Sequence, residues 1–140
     1  MRGLRFLFIA ASALLLASCS AMLGMIYPSQ TTNTVNLSIS TQDSAITASN
    51  ASTIQIFASV YPTGSSYPMD TYNSGVTYDS ATGAYTTNMT LSGLPDGTYY
   101  LLTWIDTNGY GTWEQGEPYY ESSNFTLYGV QTLPMQVTIQ

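Results

Sequence analysis

From residue 35 onwards the chain alternates apolar and polar residues with a period of two. Val35, Leu37 and Ile39 are interleaved with Asn36, Ser38 and Ser40, the pattern of a strand with one face in a core and one in water. After a polar stretch over 41–52, Ile54, Ile56, Ala58 and Val60 repeat it, and Pro62 ends this second strand. Residues 62–75 are rich in Ser, Gly, Pro, Thr and Tyr without any period, which predicts a long surface loop. Val76 to Tyr78 and Tyr85 to Leu91 form an expected hairpin, with Gly83 in its turn free to take a positive φ. The turn at Leu94-Pro95-Asp96-Gly97 then feeds a strand, Tyr99 to Ile105, that is apolar at nearly every position. Such a strand is covered on both faces and belongs at the centre of a sheet. Tyr119 to Tyr128 and Val130 to Gln140 complete the set, with Pro134 placing the last strand near an edge. No segment of helical period follows residue 34. Seven short strands separated by turn signals predict an all-β fold, a seven-stranded antiparallel β-sandwich.

The start of the chain has a different character. Met1-Arg2-Gly3-Leu4-Arg5 is basic, Phe6 to Leu16 is apolar, and Leu16-Ala17-Ser18 leads into the single cysteine, Cys19. This is an export signal, and its apolar run is too short for a spanning helix. Leu16-Ala17-Ser18-Cys19 resembles the lipobox of bacterial lipoproteins. The resemblance implies cleavage after Ser18 and lipidation of Cys19, and Ser20 in the next position implies sorting to the outer membrane. More than one acyl chain on Cys19 would hold the protein firmly to the bilayer. The expected organisation is a signal peptide over 1–18, a lipid anchor and flexible tether over 19–33, and a β-sandwich domain over 34–140. Within the tether, the apolar piece 22–27 is expected to sit at the membrane or on the domain.

Charge narrows the function classes. Arg2 and Arg5 are the only basic residues, and the chain has no histidine. All eight acids lie beyond the signal: Asp43, Asp70, Asp79, Asp96, Asp106, Glu114, Glu117 and Glu121. With eight acids and no base, the cleaved chain has a formal net charge of −8. Nucleic acid is excluded as a partner, because phosphate binding rests on Lys and Arg. Serine and cysteine nucleophiles have no His or Lys to activate them, and zinc has neither of its preferred ligands to spare. A glycosidase pair would need acid and base on either side of a cleft, whereas Asp106 and Glu114 belong to one loop. The chain is therefore read as a non-catalytic protein.

Three of the acids fall in Asp106-Thr107-Asn108-Gly109-Tyr110-Gly111-Thr112-Trp113-Glu114-Gln115-Gly116-Glu117. A twelve-residue calcium loop takes oxygens from positions 1, 3, 5, 7, 9 and 12 and turns on a glycine at position 6. In that register the metal ligands are Asp106, Asn108, the Thr112 carbonyl, Glu114 and Glu117, with Gly111 as the turning glycine. Tyr110, at position 5, supplies no suitable oxygen, so water takes that place. Pro118 blocks an exiting helix, and the loop is expected to bridge two strands with Trp113 packed inward. Calcium, bound structurally, is the expected cofactor. The competing reading is a polar hairpin around the Asn108-Gly109 turn.

Two stretches carry a family resemblance. Gly93-Leu94-Pro95-Asp96-Gly97-Thr98-Tyr99-Tyr100 resembles the turn and strand of transthyretin-like and carboxypeptidase-regulatory-like sandwich domains. Ile105 to Glu117 is similar to the calcium loops of B-type repeats in bacterial surface adhesins. The resemblances imply an Ig-like or transthyretin-like sandwich, with Tyr99 expected as a tyrosine corner tied back to its turn. The function they imply is that of a cell-envelope lipoprotein, a structural or adhesive module stiffened by one calcium loop. Its partners would be the membrane through Cys19 and an envelope protein or glycan. The alternative is a carbohydrate- or peptidoglycan-binding module that uses its surface Tyr and Trp residues, on which sugar rings can stack.

Overall fold

The computed structural model of the protein describes residues 32–140. The signal over 1–18, Cys19 and the 22–27 piece lie outside the described residues. Nine strands and no helix make up the described part: β1 (Asn33–Thr41), β2 (Gln55–Pro62), β3 (Asp70–Gly75), β4 (Thr77–Asp79), β5 (Ala84–Leu94), β6 (Gly97–Asp106), β7 (Tyr119–Glu121), β8 (Phe125–Leu127) and β9 (Thr132–Ile139). They form a four-stranded sheet in the order β4-β5-β1-β9 and a five-stranded sheet in the order β3-β2-β6-β7, with β8 also paired to β6.

The count rises from the expected seven to nine for two reasons. β3 lies inside the stretch read as a loop, where it pairs with β2 from Gln55↔Gly75 to Val60↔Asp70. Its sequence, Asp-Thr-Tyr-Asn-Ser-Gly, has no apolar alternation because it is an edge strand whose side chains are exposed or half-buried. Backbone pairing makes it a strand, with Tyr72 packed against the core and Thr71 Oγ1 hydrogen-bonded to Ser59 Oγ at 2.6 Å. The expected strand 119–128 is two strands, interrupted where Ser122 turns inward: its Oγ accepts from the Leu101 amide at 2.9 Å and its own amide donates to the Leu101 carbonyl at 2.9 Å.

The sheets are also not wholly antiparallel. β9 runs parallel to β1, matching Val35↔Leu133, Leu37↔Met135 and Ile39↔Val137. Alternation in β9 dictates which side chains turn inward, and it is satisfied by either strand direction. Pro134 sits on this edge strand, where a missing N–H costs least.

The core lies between the sheets. Val35, Leu37 and Ile39 of β1, Met89 and Leu91 of β5, and Val137 and Ile139 of β9 meet Ile56, Ala58 and Val60 of β2 and Leu101 and Ile105 of β6. β6 is central, flanked by β2 on one side and by β7 and β8 on the other. At its start Tyr99, only 2% exposed, donates its hydroxyl to the Pro95 carbonyl at 2.8 Å, so the tyrosine ties back to its own turn. Gly97 is required beneath it: a Cβ there would stand 2.9 Å from the Tyr99 hydroxyl oxygen. A second tie comes from Asn33, which begins β1 two residues before the expected Val35. Fully buried, it donates to the Leu94 carbonyl (3.1 Å) and to Asp96 Oδ1 (3.0 Å) and accepts from the Gln131 amide (3.2 Å). One amide side chain thus joins the first strand, the turn before β6 and the approach to β9.

Burial, with the Asp96 charge adding to it, holds the Tyr99 hydroxyl above the ordinary 10.0. The neutral hydroxyl is the form that folding favours, so its contribution is complete below pH 10.0 and declines as pH rises towards the folded-state value. Tyr99→Phe is expected to lower stability by about 0.5–1.5 kcal/mol at neutral pH. Thermal unfolding at several pH values checks it: the advantage of the native residue should shrink above pH 10.0.

Candidate functional site

β6 and β7 are antiparallel neighbours, paired from Leu102↔Glu121 to Trp104↔Tyr119, and the Ile105 amide donates to the Pro118 carbonyl at 3.0 Å. Residues 107–118 therefore cap a hairpin, and the loop bridges two strands as expected. This pairing sets Asp106 and Glu117, separated by ten residues in the chain, side by side at the base of the loop. Each is 6% exposed.

Backbone amides wrap both carboxylates. Asp106 Oδ1 accepts from Gly109 N at 2.7 Å and Asn108 N at 3.3 Å, while its Oδ2 accepts from Gly111 N at 3.0 Å. Gly111 adopts a positive φ of 72° in this turn, a conformation that glycine takes without steric cost. Glu117 Oε1 accepts from Thr107 N at 2.9 Å and Thr107 Oγ1 at 3.3 Å, and Oε2 accepts from Glu114 N at 3.0 Å. The first carboxylate thus organises the first half of the loop and the last one clasps both ends.

The remaining expected ligands lie further out. Asn108 accepts from Tyr110 N at 2.9 Å and donates to Glu114 Oε2 at 3.1 Å. Thr112 is exposed. Tyr110 is 73% exposed and turns its ring to solvent. Among the described residues, no three acidic, cysteine or histidine side chains converge on one point; the acids face loop amides instead. Thr107 was not singled out from sequence, yet its amide and hydroxyl both serve Glu117. A threonine next to the first loop residue gives no signal on its own, because its partner is ten positions away.

One loop residue departs from expectation. Trp113 is 41% exposed and packs edge-on against Tyr119 at 5.4 Å rather than inward. Its place is on the outer side of the five-stranded sheet, where other rings collect. Phe57 stacks on Trp104 at 5.3 Å, and Tyr61 stacks on Tyr100 at 4.9 Å, each pair directly opposite in the β2–β6 register. The rings of both pairs are close to parallel, at 14° and 11°, so each turns a flat face to its partner. Trp104 is 3% exposed, and its Nε1 lacks a hydrogen-bond partner among the described residues. Gly111 comes close to Phe57, since a Cβ there would lie 3.5 Å from the ring. The loop therefore rests on this aromatic layer.

Removing the Asp106 carboxylate would orphan three loop amides. Asp106→Ala and Glu117→Ala are expected to cost about 1–3 kcal/mol each even without added metal. Glu114→Ala, which touches only the Asn108 side-chain amide through its own side chain, should change stability by less than about 0.5 kcal/mol. Chemical denaturation in chelator-treated buffer distinguishes them, and equal effects at all three positions would contradict the assigned roles.

No family model matches the chain, and no curated protein matches it. Among solved structures, the chain is similar to a leucine-rich repeat protein from Bacteroides thetaiotaomicron VPI-5482, at 18% identity and a TM-score of 0.34. The similarity covers 79% of this chain and 14% of that one. At that score the likeness carries neither a fold assignment nor a function.

Proposed function

We propose that the protein is a lipid-anchored cell-envelope module, structural or adhesive rather than catalytic, whose 106–117 loop is stiffened by calcium. The observation that carries this reading is the pair Asp106 and Glu117. Two carboxylates, each 6% exposed, share the base of one loop, and residues 32–140 contain no Lys, Arg or His. Buried carboxylates ordinarily require a counter-charge. Backbone amides supply partial positive charge, and a hard cation would supply the rest. Carboxylate oxygens have further lone pairs available, and Asn108, Glu114 and the Thr112 carbonyl belong to the same loop and would turn inward to complete an oxygen set of the kind calcium takes. Magnesium fits less well, because it demands stricter octahedral geometry.

Anchoring at Cys19 is supported by the lipobox-like Leu16-Ala17-Ser18-Cys19, and outer-membrane sorting by Ser20. The Ig-like or transthyretin-like affinity is supported by the two-sheet architecture and by the Tyr99 tie to its turn. The reading of surface Tyr and Trp as a sugar-stacking platform gains less, since the two stacked pairs turn flat faces to each other.

Calcium titrated into the chain from Ser20 onward is expected to bind as one ion with a Kd of roughly 0.1–1 mM, typical of extracellular modules, and to raise the unfolding temperature. Glu117→Gln should abolish the effect, and Tyr110→Asp, which adds the missing oxygen, should tighten binding. Calorimetry decides this part, and an absence of heat and of thermal shift at several millimolar would overturn the metal. Anchoring has a separate readout: Cys19→Ser should release the protein from the membrane fraction and abolish labelling by a fatty-acid analogue.

A further inference from the structure

A cleft away from the calcium loop opens where the ends of β1 and β9 meet the β4–β5 hairpin. Its volume is about 720 Å³, within the roughly 300–1,000 Å³ of small-ligand sites. Its floor is apolar, made by the methyl groups of Thr86 and Thr138 over the nearly buried Ala84 and Ile139. Around them stand carboxylates, amides and hydroxyls, including Asp43, Asp79, Gln42 and Ser44. The walls are tied together, because Gln42 Nε2 donates to the Thr82 carbonyl at 3.1 Å. They are also braced individually: Asp43 Oδ1 accepts from Ala45 N at 2.7 Å, and Asp79 accepts from Ala81 N at 3.0 Å and Thr82 Oγ1 at 2.7 Å. The Thr82 and Ala81 bonds hold the Asp79 carboxyl below its ordinary value, which keeps it ionised.

The lining limits the class of ligand. Anions are repelled by Asp43 and Asp79, with no basic side chain in residues 32–140 to offset them. A bare metal ion needs six to eight oxygens converging on a point, whereas Asp43 lies in the β1–β2 loop and Asp79 ends β4, and no acidic group of three converges among the described residues. A purely apolar ligand would strip water from the carboxylates without replacing it. A sugar matches each part: its C–H face meets the apolar floor, and its hydroxyls donate to carboxylates and exchange hydrogen bonds with the amides and hydroxyls of the rim.

We infer that this cleft binds a neutral carbohydrate of about disaccharide size, with Asp43 and Asp79 as hydroxyl acceptors. The site is separate from the aromatic layer of the other sheet, and it stands whether or not the 106–117 loop takes calcium. Walls held by Gln42 and Thr82 before any ligand arrives reduce the ordering cost of binding.

The test is a titration of 15N-labelled protein carrying Cys19→Ser with cellobiose, maltose and N,N′-diacetylchitobiose, following backbone amide shifts. The expected result is a saturable shift with at least one of them, confined to residues 42–45, 79–86 and 138–140. Ser44→Tyr, which places a ring in the cleft from an exposed position, should weaken binding about tenfold or more while leaving distant amides unmoved. Asp79→Asn, which removes a charged acceptor, should weaken it by a similar factor. Three results would overturn the inference: no saturable shift with any of the three sugars at 50 mM, shifts centred on Tyr61 and Tyr100 instead, or a response at these amides to calcium chloride alone.

Discussion

Strand β6 is anchored at both ends by oxygen. At one end the Tyr99 hydroxyl holds the Pro95 carbonyl, and at the other the Asp106 carboxylate gathers the amides of Asn108, Gly109 and Gly111. Between those points β6 pairs with β2 along its length and with β7 and β8 on its other side. Its inward residues, Leu101 and Ile105 among them, meet the facing sheet. A strand so constrained leaves little freedom for the loop that follows. The hairpin pairing to β7 brings Glu117 back to Asp106, and the base of the loop is set by the sheet rather than by the loop's own sequence.

The chain manages its charges without a single ion pair among the described residues, because residues 32–140 offer no cationic side chain. Hydrogen bonds from neutral groups carry that load. Both buried acids are wrapped by backbone amides, and Asn33 donates to Asp96. Amide dipoles stabilise a carboxylate through short charge-assisted bonds, but they bring no net positive charge. A domain built this way attracts cations wherever its carboxylates have lone pairs to spare and repels other acidic surfaces. The proposed calcium loop is a local consequence of this composition.

The two outer faces differ in chemistry. On the four-stranded sheet the outward residues are small and polar, such as Asn36, Ser38, Asn88, Thr90 and Gln136, all exposed. On the five-stranded sheet, Phe57 with Trp104 and Tyr61 with Tyr100 form cross-strand pairs. Such pairs stabilise the sheet that bears them, and the first also supports the loop through the approach of Gly111 to Phe57.

Alternation in the sequence determined the all-β class and the inward faces of β1, β2 and β9, because side-chain direction in a strand follows from position alone, and the nearly unbroken apolar run of β6 determined its central place. The turn-and-strand resemblance over Gly93 to Tyr100 pointed to Tyr99, and the spacing of oxygen-bearing residues singled out the acids in 106–117. Tertiary structure decided what depends on partners distant in the chain. β3 exists because β2 offers an edge to pair with, and nothing in Asp-Thr-Tyr-Asn-Ser-Gly signals it. The direction of β9 beside β1 is likewise invisible, since an alternating pattern is the same read either way. Asn33, which looks like tether, is a buried clasp because the turn before β6 and the approach to β9 both come to it. Trp113 faces outward because Tyr119, brought alongside by the hairpin, gives it a surface there. Local pattern sets which way a residue points, and only the assembled sheets set what it meets.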